Sequence, residues 1–482
     1  MKKIIALMLA LITVCLSLFS CGDKEEPVNA DAGTEDTSRE YSIDKLPEYD
    51  FLGKEFTILT RTEFAYEMVS EYSSSVIGQS VYERNEAVAS KYNVKLDVKT
   101  EQGAWSYRTQ YKEKISEAIY AGDACAYDLV CGAQNQINLY VTEGYFSNLN
   151  ANPSINFDND WWFGGFVDNM TINDKLYFTV GDAGPTLLEY MNIVVFNKEL
   201  CTANDIAFPY EAVRNGDWTL EEMDIMTDKF GWKDNGETGV DNSDTFSIVG
   251  GGAMLRGLST SFDMNITTED ELGYPAITFY NDRNVDIIDQ FQAFLRNGNK
   301  GNFTDGSDPL EIFGSDRSLL WFATLADVMS LRQKHDVEYG IVPYPKYDDT
   351  QENYYTHIYE TLTVFAIPIN AGSQSESGIV LEALGAASYD YITPEYFETV
   401  LQYQNSQDVD SLEMINMARE NISFNFGFVH SGAIGDIGSV LDNMKNGNYN
   451  FTSSWENRSK NWNLKLSTLI DKYLQMEDKT AQ

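Results

Sequence analysis

Few residues in this chain are placed for catalysis. The three histidines, His335, His357 and His430, stand alone. None falls in an H-E-x-x-H pair, and none has a partner at metal-ligand spacing. No G-x-S-x-G turn presents a serine nucleophile. The Gly-rich run VGGGAML, Val249 to Leu255, lacks the Lys-Ser/Thr of a phosphate loop, so it reads as a loop or hinge. Carboxylates are abundant, at 74 Asp plus Glu. A glycosidase-like pair therefore arises by chance and carries no signal. One acidic run, KDNGETGVDNSD from Lys233 to Asp244, raises a calcium question. It alternates oxygen-bearing residues, but Lys233 holds the first ligand place and Thr238 the place of the tight-turn glycine. A solvated turn is the better reading, with Ca2+ at 233–244 left open. No catalytic residue, metal or cofactor is expected.

The five cysteines divide by context. Lys2 and Lys3 precede about sixteen apolar residues, a length suited to a secretory signal and short for a membrane span. Cys15 lies inside that run. Leu18-Phe19-Ser20-Cys21 resembles a bacterial lipobox, with Phe19 bulkier than usual at its position. Residues 1–20 are thus expected to be a lipoprotein signal peptide and Cys21 the lipidated new N-terminus, anchored at about 0.8 kcal/mol per buried methylene. An ordinary signal peptide with an incidental cysteine is the alternative. Residues 21–49 are acidic and rich in Ser, Thr, Ala and Pro, the composition of a disordered tether. No second apolar run approaches twenty residues. Cys125, Cys131 and Cys201 remain, an odd number and no disulfide framework. Cys131, in YDLVCGA, reads as a small buried thiol, with a Cys125–Cys131 bridge as the alternative.

The body of about 430 residues exceeds one ordinary core, which argues for two lobes. The net charge of −40 makes nucleic acid or a polyanion a poor partner. The 29 tyrosines and 8 tryptophans supply flat amphipathic surface.

The elements that must position any site follow from periodicity. FTILT, KLDVKT and YDLVCGA read as strands, separated by the helical stretches SVYERNEAVASKYNV and TQYKEKISEAIYAGD. This β-α-β-α-β order argues for an α/β lobe with a largely parallel sheet. LYFTVGD, NIVVFNK, EYGIVPYP and LTVFAIP are further strand candidates. VDIIDQFQAFLRNG, SGIVLEALGAASYDYI and WNLKLSTLIDKYLQM are helical.

Several spaced segments together carry a family resemblance. YDLVCGAQNQINLYVTEGYFSNLN, GPTLLEYMNIVVFNKEL, PYEAVRNGDWTLEEM, FGSDRSLLWFATLADVMSLRQKHDVEYGIVPYPKYD and LTVFAIPINAGSQSESGIVLEAL cover roughly Phe56 to Met417. In order and spacing they resemble the family-1, carbohydrate-type solute-binding lipoproteins of ABC importers. Ser318 stands where relatives usually carry Ala. The resemblance implies a type II periplasmic-binding-protein fold: two α/β lobes joined by hinge strands, with the ligand cleft between them. Lobe 1 would take residues 50–188 plus 365–425, and lobe 2 residues 189–364 plus 426–482. It also implies a lipid-anchored receptor on the extracellular face of the membrane. Such a receptor, expected to be a monomer, closes on a sugar or oligosaccharide and hands it to the permease subunits. A glycan-binding adhesion lipoprotein without a permease is the alternative, and a secreted carbohydrate-active enzyme a more remote one.

A sugar site needs aromatic platforms and hydrogen-bonding edges. Gln134 and Asn135 follow a strand where relatives place polar contacts. Trp161 and Trp162 are candidate stacking rings. Glu189 and Tyr190 begin the first crossing between lobes. Trp321 and Phe322 match a second-lobe aromatic of relatives, and Tyr344 lies between two prolines. For each, capping, hinge packing or core packing is the competing role.

Overall fold

The run EFTILTR gathers apolar and β-branched residues into strand β1, Glu55–Arg61, which is buried over most of its length. The computed structural model describes residues 40–69, 76–121, 126–233, 236, 242–251, 253–296, 308–402, 409–443 and 449–476. After β1 come α1 (Val76–Tyr92), β2 (Lys95–Glu101), α2 (Arg108–Tyr120), β3 (Leu129–Ala133) and α3 (Gln134–Val141). Strand β1 pairs in parallel with both β2 and β3, so Arg61 faces Glu101 and Thr60 faces Cys131. This is the alternating α/β unit that the periodicity predicts.

The chain then builds a second sheet. Its elements are β4 (Asn192–Asn197), α4 (Leu220–Phe230), β5 (Phe246–Gly250), α5 (Ala253–Ser261), the hairpin β6 (Thr267–Glu269) and β7 (Pro275–Ile277), α6 (Asp282–Arg296), β8 (Ser318–Thr324) and β9 (Tyr339–Val342). Every residue of β4 and β5 is buried, as expected of strands covered on both faces. The strand order is β5-β8-β4-β9, with β4 antiparallel to its two neighbours. The chain then returns to the first sheet as β10 (Thr363–Ala366), antiparallel to β3, completing the order β10-β3-β1-β2. The last long helices are α7 (Gln374–Tyr391), α8 (Val409–Glu420) and α9 (Phe451–Gln475). The result is two α/β lobes, each built on its own four-stranded sheet.

The two crossings run side by side. Thr179 bridges Phe365 in the first lobe, and Met191 bridges Ile358 beside the second. Between them Tyr359 N donates to Tyr190 O at 3.1 Å and Thr363 N to Thr186 Oγ1 at 2.9 Å. A buried carboxylate joins both. Glu67 Oε1 accepts from Thr186 N at 3.1 Å and from its hydroxyl at 2.7 Å, and its other oxygen accepts from Thr363 Oγ1. Arg61 donates to that same hydroxyl at 2.7 Å, and Arg84 reaches the Glu67 carbonyl at 2.7 Å and Ala183 O at 3.2 Å. Burial lowers the Arg84 guanidinium to about 10, against the opposing pull of Glu67. Two cations and an anion thus tie β1 and α1 to both crossings.

Three expectations need correction. LYFTVGD makes only single bridges, at Thr179 and Gly181, because no neighbouring strand continues the ladder. Helix α8, assigned with 365–425 to the first lobe, packs on β9 of the second: Ser411 Oγ accepts from Ile341 N at 2.9 Å, and Arg214 reaches Glu413 at 2.7 Å. Helix α9, assigned to the second lobe, touches both. Trp455 near its start stacks on Tyr280 at 5.3 Å, while Lys175 donates to Tyr473 O at 3.1 Å near its end. An α-helix of this length spans about 37 Å, enough to reach from one lobe to the other.

The Lys233–Asp244 loop lies mostly outside the described residues, as do Cys125, Cys21, the segment 1–20 and residues 21–39 of the expected tether 21–49. The rest of that tether is instead folded against the body: Ser42–Lys45 form a 3-10 turn, Ile43 is buried and Tyr41 stacks on Tyr391 of α7 at 4.9 Å. Cys131 and Cys201 are buried free thiols.

Candidate functional site

In open α/β sheets, ligands meet the crevice beyond the carboxyl ends of the strands. Here that edge faces the crossings. Strand β1 ends at Arg61 and continues into the turn Thr62–Glu67. Its rings form a chain with those of the crossings: Phe64 lies 6.2 Å from Tyr66 and 6.0 Å from Tyr190, and Tyr190 lies 5.8 Å from Tyr359. The Arg61 guanidinium sits 3.9 Å over Phe64. Polar groups flank the rings. Tyr66 donates its hydroxyl to Glu189. Burial, helped by the charge of Glu67, raises Glu189 to about 7, although the Tyr66 hydrogen bond opposes it.

Strand β3 runs straight into α3. The first amides of α3 have no partner within the helix, and the return crossing supplies them: Gln134 N donates to Leu362 O at 3.0 Å and Asn135 N to Glu360 O at 3.1 Å. Gln134 Nε2 donates to Val429 O at 2.8 Å. Asn135 Oδ1 is buried with no hydrogen-bond partner among the described residues. From the second lobe, α5 brings Arg256, which grips Asp442 in a fork at 2.9 and 2.7 Å and also pairs with Glu360. Burial works against its charge, but Asp442 more than compensates and its pKa is raised. Beside it, burial and then the Arg256 charge lower His357 to about 3, so that ring is neutral; its Nδ1 pairs with Thr260 Oγ1 at 3.1 Å. A crevice of about 20 Å³ separates Gln134 of the first lobe from Thr260 and His357 of the second. The lobes are nearly in contact there.

Of the residues singled out in the sequence, Gln134, Asn135, Glu189 and Tyr190 lie at this edge, although Gln134 is itself buried, 3% exposed, with its amide on Val429 O. The other five lie inside the lobes, each no more than 8% exposed. The Trp162 indole donates to the buried Glu382 at 2.8 Å and packs on Phe157, and Trp161 lies against Gly385 of α7. Trp321 is paired within β8 and packs on Phe313 at 5.6 Å. Phe322 meets Tyr344 edge-on at 4.7 Å, and the Tyr344 hydroxyl accepts from Asn192 at 3.3 Å. Gly257 of α5 packs so closely there that a Cβ would strike the Asn192 amide. Phe64, Tyr66, Arg256, Tyr359, Glu360 and Asp442 join the site without having been singled out. The run RTEFAYE just past β1 was the available signal for the first two.

The larger cavities lie elsewhere. One of about 900 Å³, between α4 and α6, is lined by Asp217, Glu221, Asp286, Asp348 and Asp349. Phe294 and Tyr347 also line it, but it is crowded with like charge, so the strand ends are the better candidate. Among the described residues no group of three or more His, Cys, Asp and Glu side chains is arranged to hold a metal, and no helix is long and apolar enough to cross a membrane.

Solved structures share this architecture. The maltose-binding periplasmic protein of Listeria monocytogenes, in complex with maltose, aligns over 86% of this chain and 98% of its own, with a TM-score of 0.56 at 12% identity. An ABC substrate-binding protein from Listeria monocytogenes, in complex with cycloalternan, aligns over 87% and 98%, with a TM-score of 0.53 at 14% identity. A family 1 extracellular solute-binding protein from Bifidobacterium longum subsp. infantis aligns over 86% and 99%, with a TM-score of 0.52 at 15% identity. No family model matches the chain, and no curated protein matches it in sequence. At these identities the likeness establishes the fold: the two-lobed α/β fold of ABC-importer solute-binding proteins.

Proposed function

We propose that the chain is the substrate-binding protein of an ABC importer and captures a carbohydrate between its lobes. The observation that carries this reading is the ring chain Phe64–Tyr190–Tyr359 at the strand ends, where both crossings pass. Aromatic faces suit the C–H faces of a pyranose, and the nearby amides and carboxylates suit its hydroxyl edge. Several proteins of this fold hold sugars, which supports the same ligand class here. The crossings act as the hinge, and closure about them presents a new surface to the permease. Lipidated at Cys21, the receptor stays at the outer face of the membrane, and the acidic stretch 21–39 gives it reach. Binding and release complete its task, with no bond made or broken in the ligand.

A thermal-shift screen of the purified protein against mono- and oligosaccharides tests this. Ligand at one hundred times its Kd stabilises by about 2.7 kcal/mol. A selective rise in Tm with one glycan class is expected. A folded protein that responds to none of them refutes the carbohydrate reading.

A further inference from the structure

Trp105 is 53% exposed, and among the described tryptophans it alone is exposed to this degree. Tyr107, two residues on, is 40% exposed. They occupy the turn that follows β2, whose last residue faces Arg61 across the sheet. This turn therefore lies at the same carboxyl edge as the ring chain, one strand further out.

The turn is held firmly. Its amides at Gly103 and Ala104 donate to the two oxygens of Glu63, each at 3.0 Å, and Glu63 is the neighbour of Phe64. Its carbonyl at Gly103 accepts from the buried Gln136 side chain at 2.8 Å, and Gln136 is the neighbour of Asn135. The Arg108 guanidinium covers one face of Trp105 at 4.4 Å and also bonds the Trp105 carbonyl at 2.7 Å. Tyr107 N closes the turn on Ala104 O at 2.8 Å. Two wet aromatic side chains thus stand on a clamped support that is joined on both sides to residues of the cleft. Fixing a ring before the ligand arrives removes an ordering cost from binding.

We propose that Trp105 and Tyr107 form an outlying subsite for sugar units that extend beyond the cleft, so that the ligand is an oligosaccharide. This rests on the carbohydrate reading above. The occupant is the continuation of the same glycan, because the platform is continuous with the cleft through Glu63 and Gln136. A neutral chain suits it best: Glu63 and Glu101 border the turn, and the guanidiniums nearby are engaged, that of Arg108 over the indole and that of Arg61 over Phe64.

The test is calorimetric titration with malto-, cello- and xylo-oligosaccharides of two to seven units. The proteins are the wild type, Trp105→Ala, Tyr107→Ala and, as an exposed control on α2, Tyr120→Ala. In the ladder that binds, wild-type affinity should rise about tenfold with length. Trp105→Ala should abolish that rise and leave the disaccharide unchanged, and Tyr120→Ala should keep it. Indole emission should shift with the longer ligands in the wild type and not in Trp105→Phe. A length dependence that survives Trp105→Ala, or equal weakening at every length, overturns the subsite. Wild-type binding of short sugars with no gain from length overturns the subsite alone. Binding of no member of any ladder removes the carbohydrate reading and the subsite together.

Discussion

Tyr190 meets Phe64 of the first lobe on one side and Tyr359 of the return crossing on the other. Its ring is half-buried, so truncation removes contact surface without opening a core. Tyr190→Ala should weaken glycan binding at least tenfold, roughly 1.4 kcal/mol, with Tm nearly unchanged. Trp162→Ala should do the reverse. Its ring is enclosed and its indole serves Glu382, so denaturant melts should show a loss of about 3–5 kcal/mol while affinity holds. Glu189 adds a dependence on pH. Its carboxyl sits near 7 when folded, against about 4.3 when unfolded. Between those values the folded chain holds the extra proton, so stability present at low pH is lost as pH rises through 7. Glu189→Gln has no such proton to lose. It should therefore gain on the wild type by roughly 1–2 kcal/mol between pH 5 and 8, a figure reduced for partial exposure. Melts at several pH values check this, and a constant difference would mean an ordinary carboxyl.

At the scale of elements, the join between the lobes rests on Glu67. Glu67→Gln keeps the shape but puts an amide where the buried carboxylate accepts from Thr186 and Thr363. A loss of about 1–3 kcal/mol is expected in chemical unfolding, as for a buried hydrogen-bonding group left unsatisfied. The strands that carry this join were legible in the sequence. FTILT, YDLVCGA, NIVVFNK and LTVFAIP are short apolar runs, and each forms a ladder. LYFTVGD has the same look but meets β10 only at Thr179, and a pattern cannot report how far a neighbour runs alongside. SLLWFAT shows the opposite failure: a strand buried over nearly its whole length has no alternation, so its pattern does not read as a strand, and the family resemblance places Trp321 and Phe322 in the cleft. Chain position alone pointed to Gln134, Asn135, Glu189 and Tyr190, since each follows a strand or opens a crossing. Phe64, Arg256 and Tyr359 come from three distant segments, and only folding sets them side by side.

At the scale of the whole molecule, a net charge of −40 surrounds the cleft. The guanidinium of Arg256 is already held by Asp442 and Glu360, so it offers an anionic sugar little. Uronic-acid oligomers should bind more weakly than neutral glycans of equal length, and the gap should narrow as salt screens the field. Competition titrations at low and high ionic strength check this. On the proposed function, closure about the two crossings would set the ligand against Tyr190, whichever sugar it is. The most direct test is therefore a calorimetric titration of the wild-type protein and Tyr190→Ala with the glycan class selected by thermal shift. Saturable one-to-one binding by the wild type, weakened at least tenfold in a folded Tyr190→Ala, is the predicted result. Equal affinity in the two proteins, or no heat from any glycan with the wild type folded, would contradict a sugar receptor built on this cleft.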